Sequence, residues 1–233
     1  MPDKIKVLYT SEWRESIKNF PSKQFLEIDI RPFIRVNKNF DKENFKELIR
    51  IITPECLVIS SQNALHGLYE ISESDKEKMS ILTLSEKIAN QIEGNFKAIV
   101  YSKENNENGL SDMIELYFSN QRLLHLTGNL RQDSLKKLLK SKGITIKNYQ
   151  VYKTEFIQPE LNLMDYKAIV FLSYSGIDSF FSKYHLTNNI PVFTIGIKTT
   201  KYLQKHFDGP IITASKTDSK TLIKEIHEYF SND

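Results

Sequence analysis

The sequence predicts an α/β protein with parallel sheets, arising from a duplicated five-stranded doubly wound unit. Two observations point there. Ten short apolar runs alternate with helix-length amphipathic stretches along the 233 residues, and parallel neighbours need crossover connections of that kind. Hydroxyl residues at the strand-to-helix junctions also recur at matching intervals in the two halves of the chain.

Strands are expected at 5–9, 25–30, 56–59, 80–83, 98–101, 123–126, 147–152, 168–172, 192–195 and 211–213, each a short run rich in β-branched, aliphatic or aromatic residues. Amphipathic periodicity places helices at about 11–19, 42–51, 62–70, 85–92, 109–119, 130–142, 175–184, 198–206 and 218–230. Residues 33–39 and 155–162, near Pro32 and Pro159, read as non-helical and mark two candidate crossings between domains. The polar run 103–109 reads as a solvated loop.

The repeat is visible in the intervals. Ser60 lies 25 residues before Ser85, which lies 17 before Ser102; Ser173 lies 26 before Thr199, which lies 16 before Ser215. The openings of the halves are alike as well, KVLYT at 6–10 and RLLHLT at 122–127. A duplicated unit accounts for these matches.

Composition narrows the chemistry. One cysteine, Cys56, excludes an intramolecular disulfide framework and multi-cysteine metal sites, and reads as a buried structural thiol. Together with an N-terminus that enters a strand without a leader pattern, it points to the cytoplasm. No apolar run approaches the roughly 18 residues a membrane span needs, so no membrane partner is expected. The net charge of +3 comes from interspersed charges without a basic stripe, which argues against nucleic acid and suits small anions. Eight scattered glycines form neither a dinucleotide fingerprint nor a P-loop, and the five histidines never approach metal-ligand spacing. No metal is expected.

What recurs is Ser or Thr where strands pass into helices: Ser60 and Ser61, Ser85, Thr127 beside Gly128 and Asn129, Ser173 and Ser175 beside Gly176, and Thr199 and Thr200 after Gly196. In a doubly wound sheet these junctions lie at the carboxyl ends of the strands, where ligands bind. Each residue on its own reads as a helix cap; their collective placement suggests a ligand carrying several carboxylates.

In that order the segments ISSQNAL (59–65), GNLRQDSL (128–135), VYKT (151–154), FLSYSG (171–176) and IGIKT (195–199) resemble the uroporphyrinogen-III synthase family over essentially the whole chain. The resemblance implies two flavodoxin-like doubly wound domains with parallel sheets, joined by a two-stranded linker ladder. It implies a discontinuous domain of residues 1–33 and 157–233, an inserted domain of 37–152, and linker strands at 34–36 and 153–156. It further implies a lyase that cyclises hydroxymethylbilane, a linear tetrapyrrole with eight carboxylates, to uroporphyrinogen III in haem biosynthesis. Ring D is inverted, through an azafulvene and a spiro intermediate, and no cofactor is needed. A monomer that receives its unstable substrate by transient hand-over from the enzyme that makes it completes the expectation.

On this reading Tyr152 is the donor to the departing hydroxyl, since a phenol titrating near pH 10 stays protonated at neutral pH, and Thr199 is the second catalytic candidate. Substrate contacts are expected from Ser60, Ser61, Asn63, Ser85, Gly128, Asn129, Ser173, Ser175, Gly176, Gly196, Lys198 and Thr200. One departure stands out. Matched to IGIKT, the first-half segment ILTLS (81–85) carries Leu82 in place of glycine and Ser85 in place of threonine. That favours an alternative, a non-catalytic tetrapyrrole or polycarboxylate binding protein of the same fold. A third reading is an unrelated doubly wound domain sensing a small anion; a single continuous ten-stranded sheet would rule out both of the first two.

Overall fold

The structure is a computed structural model describing residues 4–12, 25–130, 133–187 and 189–231. Eleven strands form two sheets among these residues. β1 (Ile5–Tyr9) and β2 (Leu26–Ile30) pair with β9 (Ala168–Phe171), β10 (Val192–Thr194) and β11 (Ile211–Thr213) in the order β11-β10-β9-β1-β2. The second sheet runs β3 (Ile34–Asn37), β8 (Ile146–Phe156), β7 (Leu123–Gly128), β4 (Cys56–Ile59), β5 (Ser80–Thr83), β6 (Ala98–Tyr101). All four pairings of the five-stranded sheet are parallel, as are β4–β5, β4–β7, β5–β6 and β7–β8. A continuous ten-stranded sheet is thereby excluded.

The chain divides into two compact units, Met1–Arg35 with Glu155–Asp233, and Val36–Thr154. The duplication does not coincide with them. Numbered along each copy, the strands are β1, β2, β4, β5, β6 and then β7, β8, β9, β10, β11; the sheets read β2-β1-β9-β10-β11 and β8-β7-β4-β5-β6. Each sheet therefore takes its first two strands from one copy and its last three from the other, in the same spatial order.

The inner strands β4, β5, β9 and β10 read as short, largely apolar runs because they are covered on both faces. In the second unit Leu57, Ile59, Leu124 and Leu126 pack against Phe45 and Ile49 of α1 (Lys42–Ile52), while Cys56, Val58, Leu82 and Leu123 pack against α4 (Glu107–Tyr117) and α5 (Ser134–Ser141). In the first, Val7, Tyr9 and Phe193 meet Leu222, Ile223 and Ile226 of α8 (Ser219–Ser231), and Leu8, Ile169 and Phe171 meet Phe180 of α6 (Tyr174–Phe181) and Leu203 of α7 (Ile197–Leu203). Residues alternate faces along each strand, as a pleated sheet requires.

Several expectations need revision. The helix expected at 11–19 lies largely outside the described residues. Residues Gln62–Glu70 wind as a 3-10 segment; Gly67 within it sits so close to β7 and β8 that a Cβ would be 3.1 Å from Val151 and 3.3 Å from Leu126. Two short helices intervene, α2 (Glu73–Lys76) and α3 (Glu86–Ala89), the latter running on beyond Ala89 only as i→i+3 turns to Gln91 and Ile92. The strand expected at 147–152 and the linker strand expected at 153–156 are one unbroken β8, with β3 beside it at the sheet edge.

Register also corrects the alignment of the two halves. Ile59 and Phe171 end equivalent strands, and their neighbours across the sheet are Thr83 and Thr194. Two residues further on, Ser85 and Gly196 are the helix N-caps of α3 and α7. Gly196 therefore corresponds to Ser85, not to Leu82, which corresponds to Phe193 and is wholly buried. The glycine missing from the first half is therefore missing at Ser85, a three-residue slip from Leu82.

Candidate active site

In sheets of this strand order, the crevice lies where connections diverge to opposite faces. Those points are the carboxyl ends of β4 and β7 in one unit and of β9 and β1 in the other. Ser60, Ser61, Gly128 and Asn129 lie at the first; Thr10, Ser173, Ser175 and Gly176 lie at the second.

Ser61 has extended backbone and its hydroxyl accepts the Asn63 N–H at 3.2 Å; the Asn63 carbonyl in turn receives the His66 ring at 2.6 Å. Ser173, its counterpart, accepts the Gly176 N–H at 3.2 Å and lies 3.4 Å from the Ser175 hydroxyl. These are capping geometries, and Ser60, Ser61, Ser173 and Ser175 are all half-buried.

Gly128 has a more specific role. The β7–β8 register shifts at Thr127/Gly128, so that Thr127 opposes Gln150 but Gly128 opposes Tyr152, leaving Val151 as the additional residue. Such a bulge bends a strand and re-aims its side chains. Here it lays the Tyr152 ring directly over Gly128, where a Cβ would be within 2.9 Å of Cδ2 and nearer still to Cε2 and Cζ. Glycine is required by this close approach. Asn129 fixes the same junction: its Nδ2 donates to the Thr154 carbonyl at 3.0 Å and its Oδ1 accepts the Thr154 N–H at 2.7 Å. Its amide thus acts like a short piece of strand backbone.

Two expected residues are turned inward, and a third is engaged as a helix cap. Thr200 joins a buried hydroxyl chain, 2.5 Å from Thr194 and 2.6 Å from Thr213. Thr199 is buried beside it, so the exposed positions at the start of α7 are Ile197 and Lys198. Ser85 caps α3 through a 3.4 Å bond from the Ile88 N–H, and its own carbonyl is bonded by Thr83.

Two residues were not anticipated. Thr10, which ends β1, donates from Oγ1 to the Val170 carbonyl at 2.7 Å. His125 lies in β7 with Nε2 2.8 Å from the Ser60 hydroxyl, and only 2% of it is exposed. Burial is the main influence on the ring and pushes its pKa down to about 4, against a smaller opposing effect from Asn148. An unfolded chain takes up this proton near pH 6.5 and the folded chain only near pH 4, so folding stability falls as pH drops through that window. The loss expected from His125 is roughly 3 kcal/mol. Urea midpoints at pH 7 and pH 4 check it: His125→Phe should flatten the dependence, and an unaltered slope would show that another group causes it.

Burial likewise pushes the Cys56 thiol up to about 12, consistent with a structural role. A cavity of about 660 Å³ lies elsewhere, along β6 and α4, lined by Tyr101, Ser102, Met113 and Tyr117 among others; none of the expected site residues borders it.

Solved structures share the fold. A uroporphyrinogen-III synthetase from Helicobacter pylori matches with a TM-score of 0.61 at 16% identity, covering 97% of this chain and 99% of that one. A mutant uroporphyrinogen III synthase from Thermus thermophilus matches with a TM-score of 0.71 at 13% identity, covering 98% and 100%. No curated protein sequence matches. The sequence model described as "Uroporphyrinogen-III synthase HemD" matches residues 19–224, most of the length, and the chain therefore belongs to the uroporphyrinogen-III synthase family.

Proposed function

We propose that the chain is a uroporphyrinogen-III synthase, a lyase that closes hydroxymethylbilane with inversion of ring D and releases water. The observation that carries this is the family match over residues 19–224. The strand order and the hydroxyl-bearing junctions support it, being a suitable frame for a polycarboxylate. Each unit is read as flavodoxin-like, since its first strand lies between its second and third.

In the proposed mechanism the hydroxyl of ring A leaves as water, its proton supplied by the Tyr152 phenol, and ring A becomes an azafulvene. The substituted carbon of ring D attacks it and forms the spiro intermediate. That intermediate breaks at the ring C bridge and recloses at the free carbon of ring D. The ring-D carbon then loses a proton, which restores the phenol. The linear substrate also closes spontaneously without inversion, so the protein's task is mainly orientation, which can lower a barrier by several kcal/mol. Ser61, Ser173, Ser175 and the exposed Lys198 are the proposed carboxylate contacts; Asn63, Ser85 and Gly196 shape the loops beside them. Thr199, expected as the second catalytic group, is turned inward, so its proposed part is to hold the start of α7 beneath Lys198. No cofactor enters this scheme.

The same reading makes the protein a cytoplasmic monomer that takes its substrate directly from the enzyme producing it. No helix among the described residues is long and apolar enough to cross a membrane. Expression in cells lacking uroporphyrinogen-III synthase tests the function: restored haem synthesis is expected, and continued accumulation of isomer I porphyrins would count against it.

A further inference from the structure

We infer that His66 is a positioning residue: its Nδ1–H pins the Asn63 peptide, which keeps the Asn63 N–H on the Ser61 hydroxyl and leaves Ser61 its own proton to give to a carboxylate of the substrate. The inference rests on the synthase reading and deepens it. Three hydrogen bonds carry it. The Ser61 carbonyl accepts the Ala64 N–H at 3.0 Å, the Ser61 Oγ accepts the Asn63 N–H at 3.2 Å, and the Asn63 carbonyl accepts from His66 Nδ1 at 2.6 Å. Asn63 is thus held on both sides, its N–H by Ser61 and its C=O by His66.

The direction of each bond follows from the partners alone. A carbonyl oxygen only accepts, so Nδ1 carries a proton whether the ring is neutral or charged. A backbone N–H only donates, so it takes a lone pair of Ser61 Oγ and leaves the hydroxyl proton to turn outwards; an ionised carboxylate is acceptor-only and suits that proton. The ring is held in place as well. Phe40 meets it edge-on with centroids 5.4 Å apart, and Gly67, the next residue, lies against Val151 and Leu126. Nε2 is buried with no hydrogen-bond partner among the described residues, so Nδ1 makes the ring's polar contact.

The other unit shows what the histidine changes. By strand register Ser61, Asn63, Ala64 and His66 correspond to Ser173, Ser175, Gly176 and Asp178. Ser173 accepts the N–H of Gly176, three residues on, at the start of an α-helix, and Asp178 accepts the Tyr202 hydroxyl at 2.7 Å. Ser61 instead accepts the N–H two residues on, at the start of a 3-10 segment. An ionised carboxylate at position 178 has no proton for the Ser175 carbonyl, whereas the imidazole at position 66 has one for Asn63.

Initial rates of uroporphyrinogen III formation from hydroxymethylbilane test the assignment. Ser61→Ala should raise KM about tenfold, the lower end for one hydrogen bond to a charged group, and leave kcat within twofold. His66→Phe keeps the ring contact with Phe40 and removes the donor. It should raise KM at least about threefold, again without a fall in kcat, and add nothing in a Ser61→Ala background. His66→Asn, whose Nδ2 falls where Nδ1 was, should bring KM back to within about twofold of wild type, and His66→Gln, whose amide lies one bond further out, should not. An unchanged KM in His66→Phe, losses that add in the double variant, a fall in kcat as large as the rise in KM, or rescue by glutamine and not by asparagine would overturn the inference. If His66→Phe does not fold, the nitrogen spectrum of ¹⁵N-histidine-labelled wild-type protein decides: a protonated, hydrogen-bonded His66 Nδ1 is expected, and an unprotonated Nδ1 overturns it. Failure of the wild-type protein to make uroporphyrinogen III would instead remove the synthase reading, a separate result from the nitrogen spectrum.

Discussion

Gly128→Ala should slow formation of uroporphyrinogen III at least tenfold, as much as Tyr152→Phe does. The reason is steric. A Cβ at Gly128 would overlap the Tyr152 ring, with Cδ2 at 2.9 Å and two further ring atoms closer, distances that real Cβ contacts do not show. The neighbour is a rigid aromatic ring, so Tyr152 has to swing out of position or the bulge at Thr127/Gly128 has to open. Overpacking of this kind costs about 1–3 kcal/mol of stability, and the proposed proton donor is displaced with it. Tyr152→Phe keeps the ring packing and removes only the hydroxyl, so it should lower kcat with little change in KM or stability. The pairing of the two is checked by a double-mutant cycle. In a Tyr152→Ala background, Gly128→Ala should have almost no further effect on stability or rate. Additive losses would show that the glycine acts on something other than the tyrosine.

Phe180→Ala should destabilise the unit that contains it by about 3–5 kcal/mol, the usual cost of emptying an aromatic core position. Phe180 is fully buried on α6. Its ring lies 5.1 Å from that of Phe33, 5.2 Å from those of Phe171 and Phe181, and 5.4 Å from that of Tyr184. These join the entry to β3, the end of β9 and the C-terminal end of α6, and no neighbouring side chain is small enough to refill the space cheaply. Each unit has its own pair of hydrophobic layers, so the loss should be confined. Urea unfolding followed with tryptophan probes, one engineered into each unit, should show the transition of the Phe180 unit moving to lower denaturant while the other holds. A common shift of both transitions would mean that the units unfold together.

The parts legible in the sequence are those fixed by burial on both faces. β4 and β5, buried along their whole length, lie at their expected positions because CLVI and SILT are short, apolar and bounded by polar loops; the largely exposed edge strand β6 was legible from the composition of AIVY alone. Helix type was less legible: an amphipathic pattern at 62–70 does not show that Gly67 must lie against Val151, an approach only the folded sheet creates. The three-residue slip at Leu82 has a similar origin, since equal spacing between serines and threonines cannot say which of them caps a helix, whereas pairing with Ile59 does. The junction hydroxyls were legible as a class because capping and ligand binding favour the same residue types there. His125 was not. A lone histidine in an apolar strand carries no signal, and its partners Ser60 and Asn148 are 65 residues before and 23 after it. Likewise nothing in VYKT announces a bulge, because a bulge is a property of two strands in register.

The most direct test is to incubate the purified protein with freshly generated hydroxymethylbilane and resolve the uroporphyrinogen isomers formed before spontaneous closure is complete. Isomer III, formed in proportion to protein concentration and reduced at least tenfold by Tyr152→Phe, is the predicted result. Isomer I alone, at the rate seen without protein, would contradict it.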